Sequence, residues 1–139
     1  MMLSDGYELT AETPLPEDYL RLRVAAGLSA KDPQGAVTGL ANSWHSVVVR
    51  RDGELVGMGR VIGDGGLFFM VVDIAVEPTH QGRGLGKAIM AALTDRLREA
   101  APSRAHVALI ADGEAHRLYA QYGFTPTAPG GVGMQMRIP

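Results

Sequence analysis

The chain of 139 residues contains no cysteine. That excludes disulfides, a thiolate metal centre and a covalent cysteine acyl-enzyme. It also carries little surplus charge. Thirteen Lys and Arg stand against 15 Asp and Glu, for a net of −2, so neither a nucleic-acid nor a membrane footprint is expected. No apolar run approaches the roughly 18 residues of a membrane span. The four histidines, His45, His80, His106 and His116, stand in no metal-ligand spacing, so no metal is expected. Met1–Gly6 lacks the charged and apolar regions of a signal peptide, and a cytoplasmic location is the expectation. Apolar content of 46% and charged content of 20% are ordinary for a soluble protein. The length fits one domain over 1–139, with room for a proper core.

What the chain does have is concentrated in residues 71–87. An apolar strand runs through Val71-Val72-Asp73-Ile74-Ala75-Val76, Pro78 stops it, and Gly82, Gly84 and Gly86 open a helix. Alternating glycines let a ligand approach the backbone closely. A helix start offers unsatisfied N–H groups and a positive dipole end, which together favour an anion. Arg83 and Lys87 add positive charge. The physical reading is a phosphate or pyrophosphate cradle at a strand end, and a ligand-free glycine turn is the plain alternative. A Walker A loop fails twice, because Gln81 replaces its first glycine and Ala88 its hydroxyl. A dinucleotide fingerprint fails on spacing and on position past the middle of the chain.

The run Gln81-Gly82-Arg83-Gly84-Leu85-Gly86 resembles the acetyl-CoA loop of the GNAT N-acetyltransferases, Gln/Arg-x-x-Gly-x-Gly/Ala, at every defined position. The preceding Ile74–Pro78 run is similar to the same family. A second block, Asp112 to Phe124, resembles its Asn-x-x-Ala-x-x-Leu-Tyr-x-x-x-Gly-Phe, with Ala115, Leu118, Tyr119, Gly123 and Phe124 matching. Asp112 stands where Asn is usual, which affects one side-chain contact to the pantetheine arm.

The element order can be read without that resemblance. Gly6–Thr10 predicts a first strand. Pro14 and Pro16 precede a helix with acidic Glu17 and Asp18 in its first turn, and Leu15, Leu20, Val24 and Leu28 give its stripe. Pro33–Leu40 predicts a second short helix. Trp44–Arg51 and Glu54–Ile62 form a hairpin across Asp52-Gly53. Leu67–Val76 predicts a central strand, apolar as one covered on both faces should be. Gly84–Ala100 predicts an amphipathic helix on Leu85, Ile89, Leu93 and Leu97. His106–Ile110 predicts a strand, and Asp112–Tyr122 a helix capped by Asp112 and closed at Gly123. Val132–Ile138 predicts a last strand. The expected fold is α/β, a mixed and mostly antiparallel central sheet with helices on both faces, which is also the GNAT order.

The resemblance implies acetyl transfer from acetyl-CoA to a primary amine of a small molecule, by direct attack in a ternary complex. It implies that the backbone from Gln81 through Gly82, Arg83, Gly84, Leu85 and Gly86 to Lys87 holds the diphosphate. Main-chain groups of Ile74, Ala75 and Val76 meet the pantetheine arm, with Asp112, Ala115 and Tyr119 contributing from the second block. The Val76 N–H is the implied oxyanion donor and Tyr119 the implied acid for the leaving thiolate. A core aromatic with its hydroxyl tied to backbone is the alternative for Tyr119.

A base for the amine is less defined. Asp73 is a carboxylate in an apolar strand, where burial would raise its pKa, or else it is a structural acid. Glu77, His80 and His116 are further candidates, and Arg60, His45 and Trp44 are candidate pocket residues. Gly130–Met134 resembles a glycine-rich closing element of some small bacterial GNAT proteins. Two other functions stay open: a non-catalytic acyl-CoA-sensing module and a protein N-acetyltransferase. A homodimer is possible, as in much of this family.

Overall fold

The computed structural model describes residues 1–139, which divide into two compact units, 1–109 and 110–139. The first unit is built on a five-stranded sheet. Its strands are β1 (Tyr7–Ala11), β2 (His45–Arg51), β3 (Glu54–Gly63), β4 (Phe68–Val76) and β5 (His106–Ala108). They lie in the order β1-β2-β3-β4-β5. The first three pairings are antiparallel and the last is parallel. The expected mixed, mostly antiparallel sheet is therefore present.

The β2–β3 hairpin forms where Asp52-Gly53 predicts it. Both residues have positive φ, 52° and 79°, as a tight turn matched to strand twist requires. At the next turn, the Asp64 carboxylate accepts from the backbone N–H groups of Gly66, Leu67 and Phe68. Those three bonds hold its pKa below the usual carboxylate range.

Helices cover both faces of the sheet. Helix α3 (Leu85–Ala100) buries Leu85, Ile89, Met90, Leu93 and Leu97. Its predicted apolar stripe thus meets the sheet, and Arg96, Arg98 and Glu99 are exposed. Each such buried side chain contributes about 1.5–3 kcal/mol. Helix α3 approaches β3 closely because Gly57 and Gly59 present no side chain. A Cβ on Gly59 would stand 2.6 Å from Ile89 Cγ2 and 2.8 Å from Ile74 Cδ1.

The opposite face holds α1 (Pro16–Ala25) and α2 (Pro33–Ala41). Asp32 caps α2, its carboxylate accepting from the Gly35 N–H at 2.7 Å. Tyr19, Leu22, Ala36 and Leu40 pack there with Val48, Leu55, Met58 and Ala75. The stripe expected for α1 is corrected by this arrangement. Leu15 and Val24 are exposed, whereas Tyr19, Leu22 and Arg23 are buried. The helix turns a partly polar face inward because a carboxylate waits beneath it.

The second unit also departs from expectation. A 3-10 turn over Gly113–Ala115 leads into a short helix α4 (His116–Ala120). Asp112 makes no side-chain capping bond. Gly123 does close the helix with φ 95°, and the Phe124 N–H reaches back to the Tyr119 carbonyl, as a left-handed C-terminal residue allows. Residues 132–138 form no strand. An alternating pattern alone does not make a strand, which exists only when a neighbour completes its ladder.

Candidate functional site

Strand β4 is the axis of the site. Its register against β3 shifts between Met58 opposite Ala75 and Arg60 opposite Val72. Two residues, Asp73 and Ile74, therefore oppose Gly59 alone, which is a β-bulge. Asp73 takes φ 59°, a left-handed conformation that Asp tolerates better than most residues. The bulge turns its carboxylate towards α1.

There both carboxylate oxygens are engaged. It accepts from the Arg23 guanidinium at 2.5 Å, the Arg60 Nε at 2.7 Å and the Tyr19 hydroxyl at 3.0 Å. Its side chain is 5% exposed, and those of Arg23 and Arg60 are 10% and 11% exposed. Arg23 also donates to Ser29, and Arg60 to the Gly39 carbonyl and the Ser43 hydroxyl. Burial, and then the Asp73 charge, push the Tyr19 phenol up, so it remains a donor. This buried carboxylate, with three donors on it, ties α1 and β3 to β4. The geometry favours the structural alternative for Asp73. Two guanidiniums against one carboxylate leave this buried group one positive charge in excess.

Beside the cluster lies a cavity of about 260 Å³, lined by Tyr19, Lys31, Asp32, Gly35, Gly39 and Arg60 among others. Arg60 thus reaches a pocket. Trp44 and His45 line a different cavity, of about 200 Å³, with Glu12 and Thr13. Trp44 packs edge-on against Phe69 at 4.8 Å, with the Arg96 guanidinium 5.9 Å from its centroid. Burial, then the charge of Arg96, lower the His45 pKa.

Two further candidate bases, Glu77 and His80, each have a neighbour of their own. The Glu77 carboxylate lies 3.6 Å from the Arg21 guanidinium. His80 Nδ1 lies 2.7 Å from the hydroxyl of buried Tyr7, which also accepts from Arg51 at 3.2 Å.

Past β4 the chain makes a 3-10 turn over Pro78–His80 and enters the glycine loop. Gly82 and Gly84 both have φ 79°, a region L side chains seldom adopt. Gly84 is the N-cap of α3, and no side chain caps that helix. Its ladder starts with the Ala88 N–H on the Gly84 carbonyl at 3.1 Å. The Leu85 and Gly86 N–H groups precede it, at the positive end of a 16-residue dipole. Gln81, Gly82, Arg83, Gly84 and Lys87 are exposed, while Leu85 anchors the loop in the core. The Gln81 side chain donates to the Val76 carbonyl at 3.0 Å, tying the loop to the strand.

Strand β4 runs on alone beyond its last pair with β5, Met70 opposite Ala108. Ile74, Ala75 and Val76 therefore have a strand neighbour only on the β3 side. A bared helix terminus beside an unpaired strand edge fits a diphosphate joined to an extended amide chain.

In the second unit, Ala115 precedes α4 and Tyr119 lies within it, half-buried. Burial, then the nearby Asp112 charge, push the Tyr119 phenol up. His116 is exposed, with Nδ1 3.1 Å from the Gly113 carbonyl. Gly130–Met134 is exposed. Sequence reasoning missed Tyr19 and Arg23. Their signal was Tyr19, Leu22, Arg23 and Ala26, spaced at i, i+3, i+4 and i+7.

Known proteins share these features. The family model for an acetyltransferase (GNAT) domain matches residues 27–136. A Staphylococcus aureus protein of unknown function, described as a probable acetyltransferase, superposes with a TM-score of 0.90 at 40% identity, over 95% of this chain and 99% of that one. An uncharacterised N-acetyltransferase of Porphyra purpurea is 33% identical over 91 residues, 64% of this chain and 51% of the relative. A chloroplastic serotonin N-acetyltransferase of Oryza sativa is 39% identical over 72 residues, 52% of this chain and 35% of the relative. The chain spans about half the length, or less, of these curated relatives. The breadth of the family match, across both the glycine loop and the Tyr119 block, decides the assignment: the chain belongs to the GNAT acetyltransferase family.

Proposed function

We propose that the protein is an N-acetyltransferase that moves the acetyl group of acetyl-CoA to a primary amine of a small molecule, in a ternary complex. The observation that carries this reading is the uncapped α3 terminus behind two left-handed glycines, beside the unpaired end of β4. Acetyl-CoA supplies an activated thioester; the chain supplies grip, alignment and protons.

The backbone from Gln81 to Lys87 binds the diphosphate, with Arg83 adding charge. Main-chain groups of Ile74, Ala75 and Val76 pair with the amide arm. The Gln81 side chain already engages the Val76 carbonyl and orients that peptide. The Val76 N–H donates to the acyl oxygen as negative charge builds there. The amine nitrogen bonds to the acyl carbon, the carbon–sulfur bond breaks, and the sulfur leaves with the electron pair. Tyr119 gives that sulfur its proton, and Asp112 and Ala115 complete the arm's contacts. The attacking amine loses its proton to water rather than to Asp73, whose oxygens are engaged.

The cavity beside Arg60 and Lys31 is of small-molecule size, which supports a small acceptor. In this reading residues 1–139 are one acetyltransferase domain, of which the family model spans 27–136.

The test is thiol release from acetyl-CoA across a panel of small amines, with an unrelated peptide series alongside. Release that depends on a small amine is expected. Tight acetyl-CoA binding without release on any amine would leave a CoA-binding module instead, and release on peptides alone would make it a protein N-acetyltransferase.

A further inference from the structure

The group around Asp73 carries more positive charge than that carboxylate balances. Arg23 and Arg60 both donate to it, and one of them is enough to match its charge. Arg60 commits Nε to Asp73 and Nη1 to the Gly39 carbonyl and the Ser43 hydroxyl, which leaves Nη2 without a partner in the chain. Arg60 also lines the cavity of about 260 Å³, together with Lys31 and Asp32. Lys31 is exposed and makes no ion pair. Asp32, the one acid lining the cavity, has an oxygen engaged on the Gly35 N–H. Two cations against one capping carboxylate leave the cavity net positive.

Helix α2 gives up stability to keep this space open. Gly35 and Gly39, one helical turn apart, both line the cavity. Glycine inside a helix is less stable than alanine, and neither residue has the positive φ that would call for glycine. A Cβ on Gly39 would meet no atom within 4 Å, so packing within the chain does not require glycine there. What the two residues preserve is room beside Arg60. That room is within reach of the acyl site. Asp73, which Arg60 meets, lies three residues before Val76 on β4, at most about 10 Å along a strand. A small molecule spans that distance.

We propose that the acceptor amine also carries an anionic group, a carboxylate or a phosphate, and that the cavity seats this group on the Arg60 guanidinium and the Lys31 ammonium. Both donors bind such oxygens through charge-assisted bonds. A surplus cation in a concave site also selects, because a neutral or dicationic amine leaves it unmatched. The identity of the ligand as the acceptor rests on the acetyl-transfer reading; the anion site itself does not.

Matched pairs of amines test it: an ω-amino carboxylate against its carboxamide, and an aminoalkyl phosphate against the amino alcohol. Binding is followed by backbone amide and arginine Nε–H chemical shifts in the presence of free CoA. The charged member of at least one pair is expected to shift Lys31, Gly35, Gly39 and Arg60. It should bind about tenfold tighter than its neutral partner, as one charge-assisted bond implies. The pair that discriminates more tells carboxylate from phosphate. Lys31→Glu, a change at an exposed side chain, should erase the preference, and Gly39→Leu should weaken binding of both members by filling the cavity. Equal binding within both pairs, shifts confined to residues 82–86, or a preference that survives Lys31→Glu overturns the proposal. Thiol release then separates the two readings. Release from neutral amines as readily as from charged ones overturns the anion subsite and leaves acetyl transfer standing. Charged amines that bind at the cavity and release no thiol overturn acetyl transfer and leave the anion subsite standing.

Discussion

Asp73 shows how far the reading of a buried carboxylate depends on its partners. A lone carboxylate in an apolar strand reads as a candidate base. Its roles separate once Tyr19, Arg23 and Arg60 are seen to converge on it. Asp73→Asn would leave two buried guanidiniums without their anion. Breaking a buried pair in this way costs about 3–5 kcal/mol. Urea denaturation should therefore show a loss of that size, with acetyl-CoA affinity per folded molecule preserved. A variant as stable as wild type but without turnover would restore the base role.

Tyr119 is the opposite case, a residue whose environment suits the task proposed for it. Burial and the Asp112 charge raise its pKa above the usual phenol value near 10. An acid must hold its proton to give it, so a raised pKa keeps Tyr119 competent through neutral and mildly alkaline pH. The rate should climb with pH as the acceptor amine deprotonates, and fall only above about pH 10. Tyr119→Phe should lower kcat about 10²-fold with acetyl-CoA affinity unchanged. An unaltered kcat, or an alkaline limb that persists in the variant, removes Tyr119 from the acid role.

At the scale of elements, the close packing of α3 on β3 depends most on the side chain that Gly59 lacks. Gly59→Ala would push a Cβ against Ile89 Cγ2, Ile74 Cδ1 and Leu93 Cδ1, at 3.0 Å or less. Ile89 Cγ2 sits one bond from its Cβ, so relief at the shortest of these contacts needs the helix to move. Overpacking of this kind costs about 1–3 kcal/mol. Differential scanning calorimetry should show a lower Tm for Gly59→Ala, with a smaller drop in an Ile89→Ala background, where the Cγ2 it meets is absent. Strictly additive effects of the two substitutions would mean that they do not share the contact.

The same scale shows what sequence could deliver. Helix α3, the Asp52-Gly53 hairpin and the Gln81–Gly86 loop were legible because each is encoded within a few neighbouring residues. The face of α1 was not. Leu15 and Val24 carry the apolar signal, yet they are exposed, because the buried side is chosen by Asp73, which lies 50 residues away from Arg23. The bulge that aims Asp73 was equally invisible, since Asp73-Ile74 holds no glycine to mark it. The strand expected over Val132–Ile138 is absent, because a period-two pattern marks a face without supplying the neighbour that completes a ladder.

For the whole molecule, ligand binding and folding are linked. A ligand that binds only the folded state stabilises it by about 2.7 kcal/mol at a concentration 100 times Kd. For a chain of this size that corresponds to a rise of roughly 5–10 °C in Tm. Acetyl-CoA and free CoA should both produce such a rise, because the diphosphate is common to them. Gly84→Asp should abolish it. The substitution forces a side chain into φ 79° and sets a carboxylate at the helix terminus where the anion would sit. The unliganded variant is expected to melt a few degrees lower, since a non-glycine residue held there costs of order 1–3 kcal/mol. The decisive quantity is therefore the ligand-induced shift, measured against each protein's own baseline. A full shift retained in Gly84→Asp would move CoA binding away from the glycine loop, whereas a shift lost for both ligands would tie the loop to the diphosphate they share.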